Sequence, residues 1–272
     1  MSVKHEIFAV RYAHLDRTAT YNFLGGDSHD GPMPLDYFVW AVVGPSHTIV
    51  VDTGFDAEQA RKRGRTLVRP VEDGLRAIGI THTQVTDVVI SHMHYDHSGN
   101  HHLFPNARMH LQDAEMRYCT GRSMTHAQLR APFAAEDVVS MVRRVFDDRV
   151  MFHDGDAELV PGVSLHHVGG HTPGLQVIRV STARGPVVLA SDAAHFYANF
   201  EQGRPFPILE SVSDYLEAHR KIRELAASDD HVIPGHDPEV LIRYARARDE
   251  IADIVRVDLP PVRNNESRQE PV

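Results

Sequence analysis

One cysteine, one tryptophan and 28 basic residues against 37 acidic ones are what a chain of 272 residues has least of, and each shortage closes off a class of protein. A lone Cys119 can form no internal disulfide and leaves no thiolate cluster for a structural zinc site, so stability has to come from a packed core. The formal net charge of -9 argues against nucleic acid as a partner, because binding a polyanion needs a concentrated field of Lys and Arg. No apolar run approaches the roughly 20 residues that cross a bilayer, and the opening MSVKHEIFAVRYAHLDR lacks the uninterrupted apolar core of a secretion signal. A cytoplasmic protein without a membrane partner is expected, with a small molecule as substrate and a homodimer left open. Proline-rich and low-complexity linkers are missing too. One domain is therefore expected over residues 1–258, followed by a flexible tail over 259–272 rich in Pro, Asn, Glu and Arg.

Histidine is what the chain has in abundance: 20 residues of the commonest transition-metal ligand, in an otherwise ordinary composition. Their placement depends on the elements around them. Residues 37–43 and 48–52 are short β-branched and aromatic runs separated by Gly-Pro-Ser, which predicts a hairpin. Helical spacing over 71–78 stops at Gly79, and a strand over 87–91 delivers the chain to His92. Further strands are predicted at 108–111, 163–168, 175–181, 187–190 and 231–233. Helices are predicted at 113–118, 134–146, 213–227 with a capping Ser, and 239–256 with a basic exposed face, and residues 103–148 read as a helical excursion over the site. Strands buried on one side, with helices around them, predict an α/β fold of two sheets packed together and covered by helices, a four-layer αββα sandwich.

Directly after the strand ending at Ser91 comes His92-Met93-His94-Tyr95-Asp96-His97, three imidazoles and a carboxylate within six residues. In an extended or turning segment residues two apart point the same way, so His92 and His94 can grip one ion while Asp96 and His97, past the bend, turn toward another.

The segment resembles the HxHxDH signature of the metallo-β-lactamase superfamily, and the rest of that family's ligand set follows in order over most of the chain. Gly170-His171-Thr172-Pro173-Gly174 resembles its third histidine, Leu189-Ala190-Ser191-Asp192 its metal-bridging aspartate, and Ile233-Pro234-Gly235-His236-Asp237 its last histidine. Val50-Val51-Asp52-Thr53-Gly54 resembles its early strand and turn, whose aspartate lies behind the metals. The resemblance implies that one metal takes His92, His94 and His171, that the other takes Asp96, His97 and His236, and that Asp192 joins both. Five imidazoles and two carboxylates without a thiolate suit two divalent ions, zinc before the others, with iron, manganese and cobalt tolerated. Two such ions about 3.5 to 4 Å apart can share a water and supply a hydroxide nucleophile, with Asp96 relaying a proton to the leaving group.

The other histidines read more blandly. His101 and His102 are expected to lend hydrogen bonds behind the ligands, and His166 and His167 to be structural on a strand. His110, His126, His153, His219 and His231 carry no recognisable spacing. His195 and Tyr197 follow Asp192 into the loop beside the metals, so either is a candidate to donate to a substrate oxygen. In the family's acyl-homoserine lactonases a tyrosine commonly lies three residues after the bridging aspartate, and here that position is His195.

Within the superfamily, the segment Met33-Pro34-Leu35-Asp36-Tyr37 and the compact length most resemble the quorum-quenching lactonases. The expected reaction is hydrolysis of a small cyclic ester, an N-acyl homoserine lactone or a related ring. Phe23, Leu24, Met33, Leu35, Phe196, Phe200, Phe206 and Ile208 are candidates to line an apolar channel for an acyl chain. The alternatives are a thioester hydrolase of the glyoxalase II kind, and an iron-dependent oxidoreductase resembling persulfide dioxygenases.

Overall fold

The computed structural model describes residues 3–262, so residues 263–272, most of the expected tail, lie outside the described residues. The first half carries strands β1 (Glu6–Leu15), β2 (Leu35–Val43), β3 (Thr48–Val51), β4 (Thr66–Leu67), β5 (Asp87–Val89), β6 (Arg108–Gln112) and β7 (Val150–His153). Helices α1 (Ala57–Arg63), α2 (Val71–Ala77), α3 (Tyr95–Ser98), α4 (Asp113–Cys119), α5 (Ala127–Arg130) and α6 (Ala135–Phe146) lie between them. The second half carries β8 (Ala157–Val160), β9 (Val163–His167), β10 (Gln176–Thr182), β11 (Gly185–Ser191), β12 (Val232–Pro234) and β13 (Ile254–Arg256), with α7 (Tyr197–Glu201), α8 (Val212–Leu225) and α9 (Glu239–Arg243). One sheet runs in the order β13-β1-β2-β3-β5-β6-β7 with β4 on β1, and the other runs β12-β11-β10-β9-β8.

Alternation along β2 shows why the layers stack. Phe38, Trp40 and Val42 face the second sheet and share a core with Val163, Leu165 and Val177, whereas Tyr37, Val39 and Ala41 face outward onto Leu75 of α2 and Met141 of α6. Ala218 and Ile222 of α8 cover the second sheet from its far side. The order is helix, sheet, sheet, helix, the predicted four-layer α/β sandwich. Parallel pairing carries β3 and β5 in one sheet, and β11 and β12 in the other, to the same edge of the molecule. Sites on α/β sheets form beyond such C-terminal strand ends.

Three expectations change. Helix 239–256 is only α9: Tyr244 turns extended, and Ile254 and Val255, fully buried, pair as β13 with Ala9 and Val10 of β1. Burying two β-branched side chains and completing the ladder beside β1 overrides the local helical spacing. The excursion over the site is narrower than 103–148, because β6 is a sheet strand and the helical stretch begins at Asp113. Strand β1, paired on both sides, went unassigned because its Ala and charged residues blur the alternation. Near the expected tail boundary, the Val262 N–H still donates to the Arg243 carbonyl at 2.8 Å.

Candidate metal centre

Four chain segments deliver ligand-type side chains to the edge where the parallel strands end. The loop after β5 brings His92 and His94, α3 brings Asp96 and His97, the turn before β10 brings His171, and the ends of β11 and β12 bring Asp192 and His236. Apart from Asp96, which is partly exposed, all of them are buried.

Asp192 organises the cluster. Its Oδ2 lies 3.1 Å from His171 Nε2 and 3.7 Å from His92 Nε2, and its Oδ1 lies 3.0 Å from His236 Nε2 and 3.2 Å from His97 Nε2. His94 Nδ1 is 2.9 Å from His171 Nε2, while Asp96 Oδ2 is 3.7 Å from His97 Nε2 and 3.8 Å from His236 Nε2. The donors thus fall into His92, His94, His171 and Asp192 on one side and Asp96, His97 and His236 on the other, each set within 4.8 Å. Donors about 2.0 to 2.1 Å from a tetrahedral ion sit a little over 3 Å from one another, which is the spacing here. His92 Nε2, His97 Nε2 and Asp192 Oδ1 are buried without a hydrogen-bond partner. Unpartnered buried nitrogens and a carboxylate oxygen are costly unless something electrophilic sits between them, so the residues present fit two metal ions.

The rings are pinned from behind. His97 Nδ1 donates to Asp52 Oδ2 at 2.8 Å, His171 Nδ1 to the Ile208 carbonyl at 2.6 Å, and His236 Nδ1 to the Asp36 carbonyl at 2.9 Å. Asp52 also accepts from the Ser91 N–H and hydroxyl, which ties β3 to the start of the histidine loop. Such contacts fix which ring nitrogen faces the ion. Asp52 and Ser191 hold left-handed backbone (φ 61° and 44°), rare for residues with a Cβ and placed here at two strand ends that feed the site. Burial, reinforced by neighbouring imidazoles, holds His92 and His94 well below the ordinary histidine pKa, in the neutral form that a metal requires. Asp192, despite a burial that opposes ionisation, is held well below the carboxylate range by the histidines around it, His195 first.

Of the other candidates, His195 reaches the site and Tyr197 does not. His195 Nε2 lies 3.0 Å from Asp192 Oδ2, and its ring stacks on Phe206 at 3.6 Å. Tyr197 starts α7, which turns its side chain into the core between the sheets, under the Arg243 guanidinium at 3.6 Å and away from the cavity. Its expected role at the substrate oxygen is withdrawn for that reason. His101 is buried with both ring nitrogens unpartnered, and no contact links it to the cluster.

Sequence reasoning missed Glu115. Buried in α4, it accepts from the Met93 N–H at 2.8 Å, between two ligand histidines, and from the Thr172 hydroxyl at 2.6 Å and the Gly174 N–H at 3.1 Å, beside a third. An acid in a helix's first turn reads as an ordinary partner of the helix dipole, so no local signal marks it. Gly174 packs so tightly here that a Cβ would lie 2.1 Å from Glu115 N, and one at Gly170 (φ 85°) would lie 2.5 Å from the Tyr215 backbone.

A cavity of about 300 Å³ opens over the cluster, lined by Asp96, Asp192, His195 and His236 at its floor. Leu35, Phe206, Ile208 and Leu209 give it an apolar side, and Tyr37, Tyr95, Arg17, Arg63 and Arg65 also line it, with Arg17 5.2 Å from the Phe206 ring. Of the expected channel residues, Phe23, Phe196 and Phe200 are in the core, Met33 packs against it, and Leu24 is exposed. No described helix is long and apolar enough to cross a membrane.

Comparison with known proteins gives a consistent picture. The profile described as the Metallo-beta-lactamase superfamily matches residues 33–236. An N-acyl homoserine lactonase from Bacillus sp is 28% identical over 226 residues, covering 75% of this chain and 83% of the relative. The N-acyl homoserine lactonase AttM of Azorhizobium caulinodans is 28% identical over 248 residues, covering 82% and 89%. Among solved structures, an N-acyl homoserine lactone hydrolase with N-hexanoyl-L-homoserine bound at its catalytic metal center superposes with a TM-score of 0.70 at 23% identity, over 88% of this chain and 96% of that one.

Proposed function

The chain belongs to the metallo-β-lactamase superfamily, and from that premise we propose that it is a two-metal hydrolase that opens a lactone ring, with N-acyl homoserine lactones as its first substrates, zinc as its metal and the cytoplasm as its compartment. The observation that carries the reading is Asp192, whose two carboxylate oxygens face two separate groups of imidazole nitrogens on the floor of the cavity. The named activity of the relatives supports the choice of ring.

In this reading His92, His94 and His171 hold one ion, Asp96, His97 and His236 the other, and Asp192 both. Two bound dications would polarise the lactone carbonyl and make water a nucleophile at neutral pH. The chain's own residues do the rest. Asp96, with its carboxylate facing the cavity, carries a proton to the ring oxygen as the C–O bond breaks. His195 clamps Asp192 from the cavity side, so the shared carboxylate cannot swing when substrate enters. Phe206, Ile208 and Leu209 seat the acyl arm and displace water from that side.

The zinc-loaded protein should release acid from N-hexanoyl homoserine lactone, followed with a pH indicator; chelation should stop the reaction and zinc restore it. Hydrolysis of S-lactoylglutathione with no lactone opened would replace this reading by a thioesterase. Tightly held iron with oxygen uptake on a persulfide would replace it by an oxidoreductase.

A further inference from the structure

The cavity carries a concentration of positive charge that the chain's acidic balance does not foretell. Arg17 comes from the segment after β1, Arg63 ends α1, and Arg65 follows it by two residues; all three line the cavity. Elsewhere some guanidinium groups pair with acids, as Arg11 does with Asp36, Arg69 with Asp253 and Arg256 with Asp258, while others, such as Arg144 and Arg179, rest on backbone carbonyls outside the cavity. Among the described residues, none of the three cavity arginines has a carboxylate oxygen within 4.0 Å.

Neutral groups hold them instead. Arg63 donates to the carbonyls of Ala131 and Phe133, each at 3.0 Å, and lies 3.8 Å over the Tyr95 ring. Arg65 donates through Nε to the Tyr95 hydroxyl at 3.0 Å and through Nη1 to the Arg63 carbonyl at 2.6 Å. Arg17 donates to the Tyr21 carbonyl and lies 5.2 Å from the Phe206 ring. The Nε atoms of Arg17 and Arg63 are buried with no partner among the described residues. Arg63 also pulls down on the carboxyl of Asp137 from beyond salt-bridge distance, but burial pushes that carboxyl up to about 7, so near neutrality it supplies only part of a counter-charge.

Carbonyls and phenols orient a guanidinium without cancelling its charge, and a half-buried cation without an anion is costly until one arrives. Arg63 uses both Nη atoms on carbonyls and contributes its charge, whereas Arg17 Nη1 and Arg65 Nη2 carry no hydrogen bond among the described residues and are left to donate to a carboxylate. The acids on the cavity floor, Asp96 and Asp192, cannot play that part once they hold metal ions. We propose that the cavity selects lactones whose acyl arm ends in a carboxylate, received by the wall of Arg17, Arg63 and Arg65 while the ring lies over the floor. The proposal takes the ring from the lactonase reading above; the preference for an anion stands on the wall alone.

The test pairs N-hexanoyl homoserine lactone with its ω-carboxylated counterpart of equal chain length, N-adipoyl homoserine lactone, and the two corresponding lactams, whose rings resist opening. With the zinc-loaded protein, kcat/KM should favour the carboxylated lactone, and calorimetry the carboxylated lactam, by about tenfold or more, the worth of one charge-assisted hydrogen bond. High salt should shrink the ratio, Arg65→Met and Arg17→Met should bring it toward one, and Arg65→Lys should keep part of it. Equal or weaker binding of the carboxylated lactam overturns the proposal even if both lactones are opened rapidly. A tenfold preference among the lactams with neither lactone opened keeps the proposal and discards the lactonase reading. If a methionine variant does not fold, the salt dependence of the wild-type ratio decides.

Discussion

The floor and the wall of the cavity are built from different materials. The imidazoles on the floor hang from strand ends, the turns beside them and the short helix α3, and most of the rings are pinned through their second nitrogen to a carbonyl, a hydroxyl or Asp52. The wall is assembled from a loop after β1, the end of α1 with the turn that follows it, and the stretch of short helices from Tyr118 to Pro132. Its cations rest on backbone carbonyls and one phenol. The difference separates two demands. Electrophilic chemistry needs donors fixed to a fraction of an ångström, which sheets provide, whereas choice among substrates can be rewritten in loops without disturbing the sheets.

The floor should be the more fragile of the two. Asp192→Ala removes the one side chain that faces both imidazole groups, so lactone opening should fall by at least about a thousandfold and bound metal drop below two per chain. Metal analysis beside the rate measurement checks this, and activity within tenfold of the parent with two metals retained would break the comparison at its stronger end. Gly174→Ala comes next. Its Cβ would meet the backbone of Glu115 at 2.1 Å, and no side-chain rotation relieves a clash with main chain. A cost of about 3 kcal/mol, and a melting temperature lower by about 10 °C, is expected.

That clash also marks the limit of what could be read from residues in a row. The six-residue histidine segment, the Gly-flanked His171 and the strand-ending Asp192 and His236 are local patterns, and the structure gathers all of them in one place. The hairpin of β2 and β3 and four of the five strands of the second sheet are legible as short runs rich in β-branched and apolar residues, while β8 is not. Glu115, Arg17 and Arg65 carry no such pattern, because what makes them matter is a distant neighbour or the absence of one: the partners of Glu115 lie 22, 57 and 59 residues away along the chain. Residues 254–256 fail differently: their local spacing favours a helix, and only the open edge of β1 makes them a strand.

Glu115→Gln sharpens the comparison from the floor's side. The amide keeps one acceptor but loses the oxygen that receives both the Thr172 hydroxyl and the Gly174 N–H, loosening the His171 loop against the His92 loop. Metal affinity should weaken about 10- to 100-fold with a loss of about 2 kcal/mol in stability, read by competition with a chromogenic chelator and by denaturant titration. Arg65→Met, in the same chelator assay, should leave affinity unchanged. Equal effects of the two variants would mean that floor and wall are not separable.

The smallest effect expected lies behind the wall, at an acid that acts on Arg63, and depends on pH. Asp137, in the first turn of α6, has a buried Oδ2 with no partner, and burial raises its carboxyl from the usual 3.8 to about 7, against an opposing pull from Arg63. The folded protein therefore binds this proton more tightly than the unfolded chain does. Stability from Asp137 is fully present below the unfolded pKa of 3.8 and is lost as pH rises through about 7. Asp137→Asn keeps the shape and removes the titration, so the variant should match the parent only below about pH 3.8, and its advantage should grow from pH 5 to about 2 °C at pH 8, a modest gain because the side chain is only partly enclosed. Melting curves of parent and variant across that range measure it, and a variant that is less stable at pH 8 than at pH 5 relative to the parent would show that Arg63 already has its anion, leaving the wall less open to a substrate's carboxylate than its geometry indicates.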